Sequence, residues 1–266
     1  MAWLGGQDGE TLGPRKLITI SIVSHKQIAL VDRLLAELVA LRTSVPLEVI
    51  VTLNTAEPVP THWASFALPL RLLHNTCPKG FAANHNAAFA AAQGRWFCVL
   101  NPDIRLPHDP FPVLLAELQR QATALVAPVV LNSSGAIEDS VRRFPTVGSL
   151  VRKLFGGDGG RYRFALGGAP FLPDWVAGMF MLFDSTAYRA VGGFDEGFHL
   201  YYEDVDICAR LWKAGFKVAL HPGVSVVHEA QRASRKSPRY MAWHLASMAR
   251  YFVKHGGRLP RMGLPA

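Results

Sequence analysis

Trp96-Phe97-Cys98-Val99-Leu100-Asn101-Pro102-Asp103-Ile104 is the stretch whose reading decides the fold. An uninterrupted apolar run that follows the turn signal Gln93-Gly94-Arg95 fits a strand buried on both faces of a parallel sheet. Asn-Pro stops it, because proline has no N–H for the ladder and pushes its predecessor out of the helical region. A carboxylate, Asp103, then stands just past the carboxyl end of a central strand, where open α/β sheets bind ligands. Taken alone, the stretch fits a plain strand-to-loop turn equally well, since Asn, Pro and Asp all form turns. The flanking sequence decides between the two.

On the N-terminal side, Leu17 to Val23 is a β-branched run and reads as the first strand, ending at Ser24-His25-Lys26. Ile28, Val31, Leu34, Leu35, Leu38 and Leu41 follow at helical spacing. Leu47 to Leu53 is a second strand ending at Asn54, and Leu70 to His74 a third. Gly80-Phe81-Ala82-Ala83-Asn84-His85-Asn86 opens an alanine-rich helix that runs to about Gln93. Strands alternating with helices predict βαβ units and one doubly wound, mostly parallel sheet.

Beyond Asp103, a helix is expected from about Pro110 to Gln121, then a strand over 124–130. Residues 132–173 are rich in Gly and Arg without clear periodicity and read as an irregular, mobile lid. Trp175 to Phe183 reads as one strand, and Ser185 to Ala190 as a short helix. Tyr201-Tyr202-Glu203-Asp204 precedes a helix with Val205, Cys208, Leu211 and Trp212 on one face, closed by Gly215. Extended segments over 216–220 and 224–227 end at His228.

Composition narrows the class. The 266 residues are 50% hydrophobic and 18% charged, which marks a globular chain. The net charge of +8 favours anionic partners. Three scattered cysteines, Cys77, Cys98 and Cys208, fit neither a zinc framework nor a disulfide scaffold and point to a reducing, cytoplasmic setting. No stretch has the length of a signal peptide's apolar core or of a membrane span. A flexible N-terminus over 1–16, one domain over 17–230 and a basic C-terminal extension over 231–266 are expected.

Val23-Ser24-His25, the Gly80–Asn86 segment, Leu100-Asn101-Pro102-Asp103, Trp175-Val176-Ala177-Gly178-Met179-Phe180-Met181, Gly192-Gly193-Phe194-Asp195-Glu196-Gly197-Phe198, Tyr202-Glu203-Asp204-Val205-Asp206 and Val226-Val227-His228 occur in that order. Over about residues 17–255 the sequence resembles the inverting nucleotide-sugar glycosyltransferases of family 2, which have the GT-A fold. It is most similar to the bacterial rhamnosyltransferase-like branch. The pairing of Asn-Pro-Asp with the later Glu-Asp-Val-Asp is the specific part.

The resemblance implies roles. Asp103 matches the last carboxylate of an Asp-x-Asp motif that holds Mg²⁺ or Mn²⁺ on the donor's diphosphate, and His228 matches a late histidine that completes the coordination. Hard divalent ions take oxygen ligands, usually one or two carboxylates with phosphate oxygens. Asn101, a neutral amide at the motif's first position, leaves fewer anionic ligands. Asp204 matches the general base that takes the acceptor hydroxyl's proton, with Glu203 beside it raising its pKa or holding the acceptor. Ser24, His25, Asn54, Gly80, Phe81, Asn84, Asn86 and Asn101 are expected around the nucleotide, and Trp175, Gly178 and Met179 around the acceptor. The family usually carries an acid near the end of the second strand, where this chain has Val51-Thr52-Leu53-Asn54.

The implied partners are a nucleotide-diphosphate sugar and a saccharide or polyprenyl-linked glycan. After Glu229, the C-terminal region carries Arg232, Arg235, Lys236, Arg239, Arg250, Lys254, Arg258 and Arg261 and no acid. With interleaved aromatics, it reads as an amphipathic helix that either docks on the domain or lies on an anionic membrane at its inner face. A GT-A domain that has lost catalysis and only binds a glycan or a partner is the alternative that Asn101 feeds. A dinucleotide-dependent oxidoreductase lacks its Gly-x-Gly-x-x-Gly turn, and no motif supports nucleic-acid binding.

Overall fold

A computed structural model describes residues 3–4, 17–120, 122–156, 159–229, 238–256 and 259. The strands are β1 (Trp3–Leu4), β2 (Ile18–Ser24), β3 (Leu47–Leu53), β4 (Leu70–His74), β5 (Trp96–Leu100), β6 (Ile104–Arg105), β7 (Thr123–Asn132), β8 (Val141–Arg142), β9 (Trp175–Val176), β10 (Phe180–Asp184) and β11 (Lys217–His228). The helices are α1 (Ile28–Ala40), α2 (Phe81–Ala90), α3 (Phe111–Leu118), α4 (Val147–Leu154), α5 (Ser185–Ala190), α6 (Glu203–Lys213) and α7 (Pro238–His255).

The large sheet runs β1-β4-β3-β2-β5-β10-β7-β11-β6. β4, β3, β2 and β5 are parallel neighbours, and β7 and β11 form a second parallel pair. β10 runs antiparallel between β5 and β7 and joins the two groups. The mostly parallel α/β architecture is as expected; the inverted strand at its centre is not legible in an apolar run, which reads the same in either direction.

β5 explains the two-sided core. Every residue from Trp96 to Leu100 is buried, and the side chains alternate. Trp96, Cys98 and Leu100 pack in the cluster shared with Ile18, Ile20, Leu34, Leu38 and Phe111. Phe97 and Val99 pack in the opposite cluster, with Met181, Phe183, Tyr188 and Cys208. The central strand is thus packed on both faces, and the chain leaves it through the Asn-Pro-Asp turn.

Several boundaries differ from those read off the sequence. Trp175 to Phe183 is not one strand: it breaks at 177–179 between β9 and β10. The 132–173 segment is not irregular throughout, since it contains β8 and α4, and β8 pairs with β9. Of its arginines, Arg142 and Arg161 are tied to Asp139. The two extended segments before His228 form a single strand, β11, whose register shifts between His221 and Ser225. The N-terminal residues 1–16 lie outside the described residues except Trp3–Leu4, which pair with β4 at the sheet edge.

The C-terminal extension has its helix, and the helix docks. Tyr251 is fully buried, and Ser247 Oγ donates to the Leu200 carbonyl at 2.9 Å. Arg250 and Lys254 reach Asp195, while Lys254 and His255 reach the buried Asp206. The basic residues at 232, 235, 236, 258 and 261 lie outside the described residues.

Candidate active site

The site is built where three chain segments meet at the carboxyl end of the sheet. The Asn101–Asp103 turn leaves β5, the 177–179 segment connects β9 to β10, and α6 begins at Glu203. The 177–179 segment is the hinge between the other two. The Gly178 N–H donates to Asp204 Oδ2 at 3.0 Å. The Asn101 N–H donates to the Met179 carbonyl at 3.0 Å. Two adjacent residues therefore fix the carboxylate pair of α6 relative to the Asn-Pro-Asp turn.

α6 enters abruptly. Tyr201 and Tyr202 both have positive φ, 70° and 66°, immediately before the carboxylates. Two consecutive left-handed non-glycine residues cost on the order of 1–3 kcal/mol each, and such strain persists where packing over-determines it. Tyr202 is buried, and its ring and that of Tyr201 lie against His244 of α7.

Burial sets the acidity of the carboxylates that follow. Burial pushes the Asp204 pKa up, while backbone N–H groups, Gly178 first among them, hold it from rising further. Burial and the neighbouring Asp204 raise the Glu203 carboxyl well above the ordinary range. Glu203 is 5% exposed and its Oε2 has no hydrogen-bond partner. Asp204 borders a cleft of about 250 Å³, lined also by Arg143, Trp175, Tyr202, His244 and Met248. A carboxylate of raised basicity at the wall of a cleft fits a general base.

On the other side, Asp103 Oδ2 lies 3.2 Å from His228 Nε2, and His228 Nδ1 lies 2.7 Å from Glu138 Oε2. Burial alone lowers the His228 pKa, but the two carboxylates outweigh it and the net shift is upward. Asp103 Oδ1 is buried and has no partner. An orphaned carboxylate oxygen beside an imidazole whose far nitrogen meets a glutamate fits the donor chemistry of a partial cation site. Among the described residues no three His, Cys, Asp or Glu side chains converge on one point.

The residues expected around the nucleotide divide. Ser24 and His25 stand at the end of β2, and His25 Nδ1 meets Asn54 Nδ2 at 3.2 Å. The Asn54 amide is otherwise consumed by the 75–79 loop: it accepts from Asn75 Nδ2 and the Lys79 N–H and donates to the Lys79 carbonyl. Asn84 is buried, bonded to Asn75 and Lys79. Asn86 accepts from Tyr188 Oη and the Phe194 N–H and donates to the Phe194 carbonyl and Glu196. Asn54, Asn84 and Asn86 thus brace their loops through their side-chain amides. Gly80 is a close-packing position: a Cβ there would meet the His199 carbonyl oxygen at 2.5 Å. The Phe81 N–H donates to that same carbonyl, and its ring packs on His85 and Phe194. Of the residues expected at the acceptor, Gly178 and Met179 bond through their backbones to Asp204 and Asn101, and Trp175 lines the cleft.

Glu57, which the sequence reading did not single out, stands beside Ser24. Its carboxylate accepts from Ser24 Oγ at 2.9 Å, from the Lys26 N–H at 2.8 Å and from the Ile28 N–H at 3.0 Å. It therefore caps α1 and shapes the β2 exit loop. An acid is present near the second strand after all, three residues past Asn54 in the loop, where a search confined to the strand end does not find it.

With this geometry in hand, likeness to known proteins is informative. The model of "Glycosyl transferase family 2" matches residues 19–187, and that of "N-terminal domain of galactosyltransferase" matches residues 173–233. The chain is 30% identical over 186 residues to rhamnosyltransferase WbbL of Escherichia coli K12, covering 66% of this chain and 70% of that protein. It is also 30% identical over 173 residues to the N-acetylglucosaminyl-diphospho-decaprenol L-rhamnosyltransferase of Mycobacterium tuberculosis, covering 57% of this chain but 52% of that one. Among solved structures, GalNAc-T7 with UDP, GalNAc and Mn²⁺ superposes with a TM-score of 0.66 at 14% identity, covering 90% of this chain and 48% of its own. A mannosyltransferase of Pyrobaculum calidifontis with GDP-Man and Mn²⁺ gives 0.59 at 17% identity, covering 97% and 70%. At these identities the structures speak to the fold alone. The family match spans more than half of the sequence and includes the Asn-Pro-Asp turn, so the chain belongs to glycosyl transferase family 2 and has the GT-A-type glycosyltransferase fold.

Proposed function

We propose that this chain moves a sugar from a nucleotide-diphosphate donor to a hydroxyl of a saccharide or lipid-linked glycan, with inversion at the anomeric carbon. Rhamnose is the proposed sugar, because two relatives of 30% identity are named rhamnosyltransferases. The mycobacterial relative's name contains a diphospho-decaprenol acceptor, which supports a polyprenyl-linked glycan here. The observation that carries the reading is the link through Gly178 and Met179, which holds a basic carboxylate and a partial cation site in fixed relation.

In this mechanism the acceptor sugar lies in the cleft against Trp175 with its hydroxyl at Asp204. Asp204 takes the hydroxyl proton as the oxygen attacks the anomeric carbon, and the nucleoside diphosphate leaves on the opposite face. Inversion follows from that single displacement. Burial of Asp204 itself raises its basicity above that of a solvated carboxylate. Asp103 and His228 would hold Mg²⁺ or Mn²⁺ against the diphosphate, and the ion would offset the charge that grows on the leaving group. Glu138 orients His228 for that role. The proposed setting is the cytoplasm, at a membrane that carries the acceptor.

The catalytically silent alternative is not favoured, because Asp103, His228, Glu203 and Asp204 are all retained in a geometry suited to chemistry. The test is incubation with a panel of nucleotide sugars, a glycan acceptor and Mn²⁺, with release of nucleoside diphosphate and the product's anomeric configuration read by NMR. Donor hydrolysis or transfer with retention contradicts the mechanism; no reaction with any donor contradicts the function.

A further inference from the structure

The cleft beside Asp204 is bordered by Pro145 and Ser149, at and just before the first turn of α4, and by His244 and Met248 of α7. Both helices also expose large apolar side chains. On α4 and the residue after it, Val147 is 67%, Val151 47% and Phe155 87% exposed. On α7, Met241 is 59%, Leu245 51% and Val253 85% exposed. The α7 residues recur at spacings of four and eight, so they form one stripe on the side not anchored by Tyr251 and His255. Between them the stripe is continued by Ala249 and carries no charge. Scattered single apolar residues on a surface need no explanation, but two such rows on the helices that border one cleft do.

The sequence that carries and flanks these rows is one-sided in charge. Residues 143–173 contain Arg143, Arg152, Lys153, Arg161 and Arg163 against Asp158 alone, and residues 230–266 contain eight basic residues and no acid. Of those eight, Arg250 and Lys254 are spent on Asp195 and Asp206. Apolar side chains that enter an acyl layer, set among cations that meet anionic headgroups, are the two components of interfacial binding. A second protein copy would meet the same surplus of positive charge, which disfavours self-pairing.

We infer that α4 and α7 form the surface by which this protein seats on an anionic bilayer, so that the acceptor cleft opens beside the lipid. Val147, Val151 and Phe155 enter from one border of the cleft and Met241, Leu245 and Val253 from the other. The inference rests on the proposed lipid-linked acceptor for its purpose, but not for its physical basis.

The test is co-sedimentation of the full chain with phosphatidylcholine vesicles, with and without phosphatidylglycerol, alongside transfer to a water-soluble acceptor glycan. The parent is expected to sediment with the anionic vesicles and not with the neutral ones. Phe155→Glu with Leu245→Glu is expected to weaken that binding by about tenfold or more while transfer to the soluble acceptor continues at the parental rate, which also shows that the variant is folded. Unchanged anionic-vesicle binding in the double variant overturns the inference, since the basic segments alone would then suffice. Absence of vesicle binding by the parent, or a dimer in light scattering that the double variant abolishes, overturns it as well. Vesicle binding without transfer to any acceptor would leave the surface standing and remove the proposed function instead.

Discussion

The Gly178 N–H and Asp204 Oδ2 are joined by a 3.0 Å hydrogen bond that crosses from the β9–β10 connection to the start of α6. The bond does two things. It stabilises the ionised carboxylate, and it sets the distance between that carboxylate and the Asn-Pro-Asp turn, whose backbone is bonded to the next residue. A Cβ on residue 178 would lie 3.1 Å from Phe81 Cζ and 3.8 Å from Asp204 Cβ. Gly178→Ala is therefore expected to press on Phe81, shift the backbone N–H that holds Asp204 and lower kcat by about tenfold, since small misplacements of a catalytic group are costly. Donor affinity is expected to be retained. Equal kcat for the two proteins would remove the positioning role.

The pH dependence of the reaction follows from the raised pKa of Asp204. A general base works only when ionised, so the acidic limb of kcat/KM is expected above the ordinary aspartate value of about 3.9. Glu203 holds its proton while Asp204 is ionised, so Glu203→Gln replaces one neutral neighbour by another and is expected to leave the limb in place. A pH–rate profile of the parent and the variant checks both the position of the limb and its indifference to residue 203. A limb that moves toward acid in the variant would show that Glu203 carries a charge beside the base.

Glu203 also has a stability signature. Its carboxyl has a raised pKa in the folded state, so the folded protein holds this proton more tightly than the unfolded chain does. Stability is then full below the unfolded pKa and declines as pH rises from there through the folded pKa. Glu203→Gln is expected to flatten that decline in thermal melts taken across the range. A parallel slope in the variant would assign the pH dependence to other groups.

Much of this arrangement is legible in the sequence because it rests on local signals. The apolar run of β5 and its Asn-Pro stop mark the central strand, and the acidic start of α6 is visible in Tyr-Glu-Asp-Val-Asp. The pairing of Asp103 with His228, 125 residues apart, was reachable only through family likeness. What was not legible depends on partners distant in the chain. The amides of Asn54, Asn84 and Asn86 look free in sequence, and only the fold shows that loops at 75–79 and 194–196 consume them. Glu57 hides in a Pro-rich loop, and its role appears only when α1 is placed over it. The docking of α7 depends on Asp195 and Asp206, and an amphipathic pattern alone does not choose between a protein surface and a lipid one.

The α7 latch gives a further stability prediction. Asp206 is fully buried and meets Arg210 Nε at 2.7 Å, Lys254 Nζ at 2.7 Å and His255 Nε2 at 2.9 Å. Burial alone would raise its pKa, but His255, Arg210 and Lys254 together hold it below the ordinary value. Its contribution is therefore present above the unfolded pKa and is lost as pH falls through the folded one. Asp206→Asn removes the buried carboxylate shared by Arg210, Lys254 and His255 and is expected to cost about 3 kcal/mol. Thermal denaturation should fall by roughly 10 °C at neutral pH. A melting point within a degree or two of the parent would show that the latch carries little energy.

The central claim is that Asp204 is the base, and the substitution that tests it most directly is Asp204→Asn. Asparagine keeps the shape and can still accept the Gly178 N–H, but it cannot take a proton. The measurement is the single-turnover rate of sugar transfer beside the donor's dissociation constant in the presence of Mn²⁺. Loss of a general base typically costs about 10²- to 10⁴-fold in rate, and the diphosphate end at Asp103 and His228 is untouched. The account predicts a collapse of the transfer rate in that range with donor affinity within a few-fold of the parent. Transfer at near the parental rate by Asp204→Asn, with the loss appearing in Glu203→Gln instead, would contradict it.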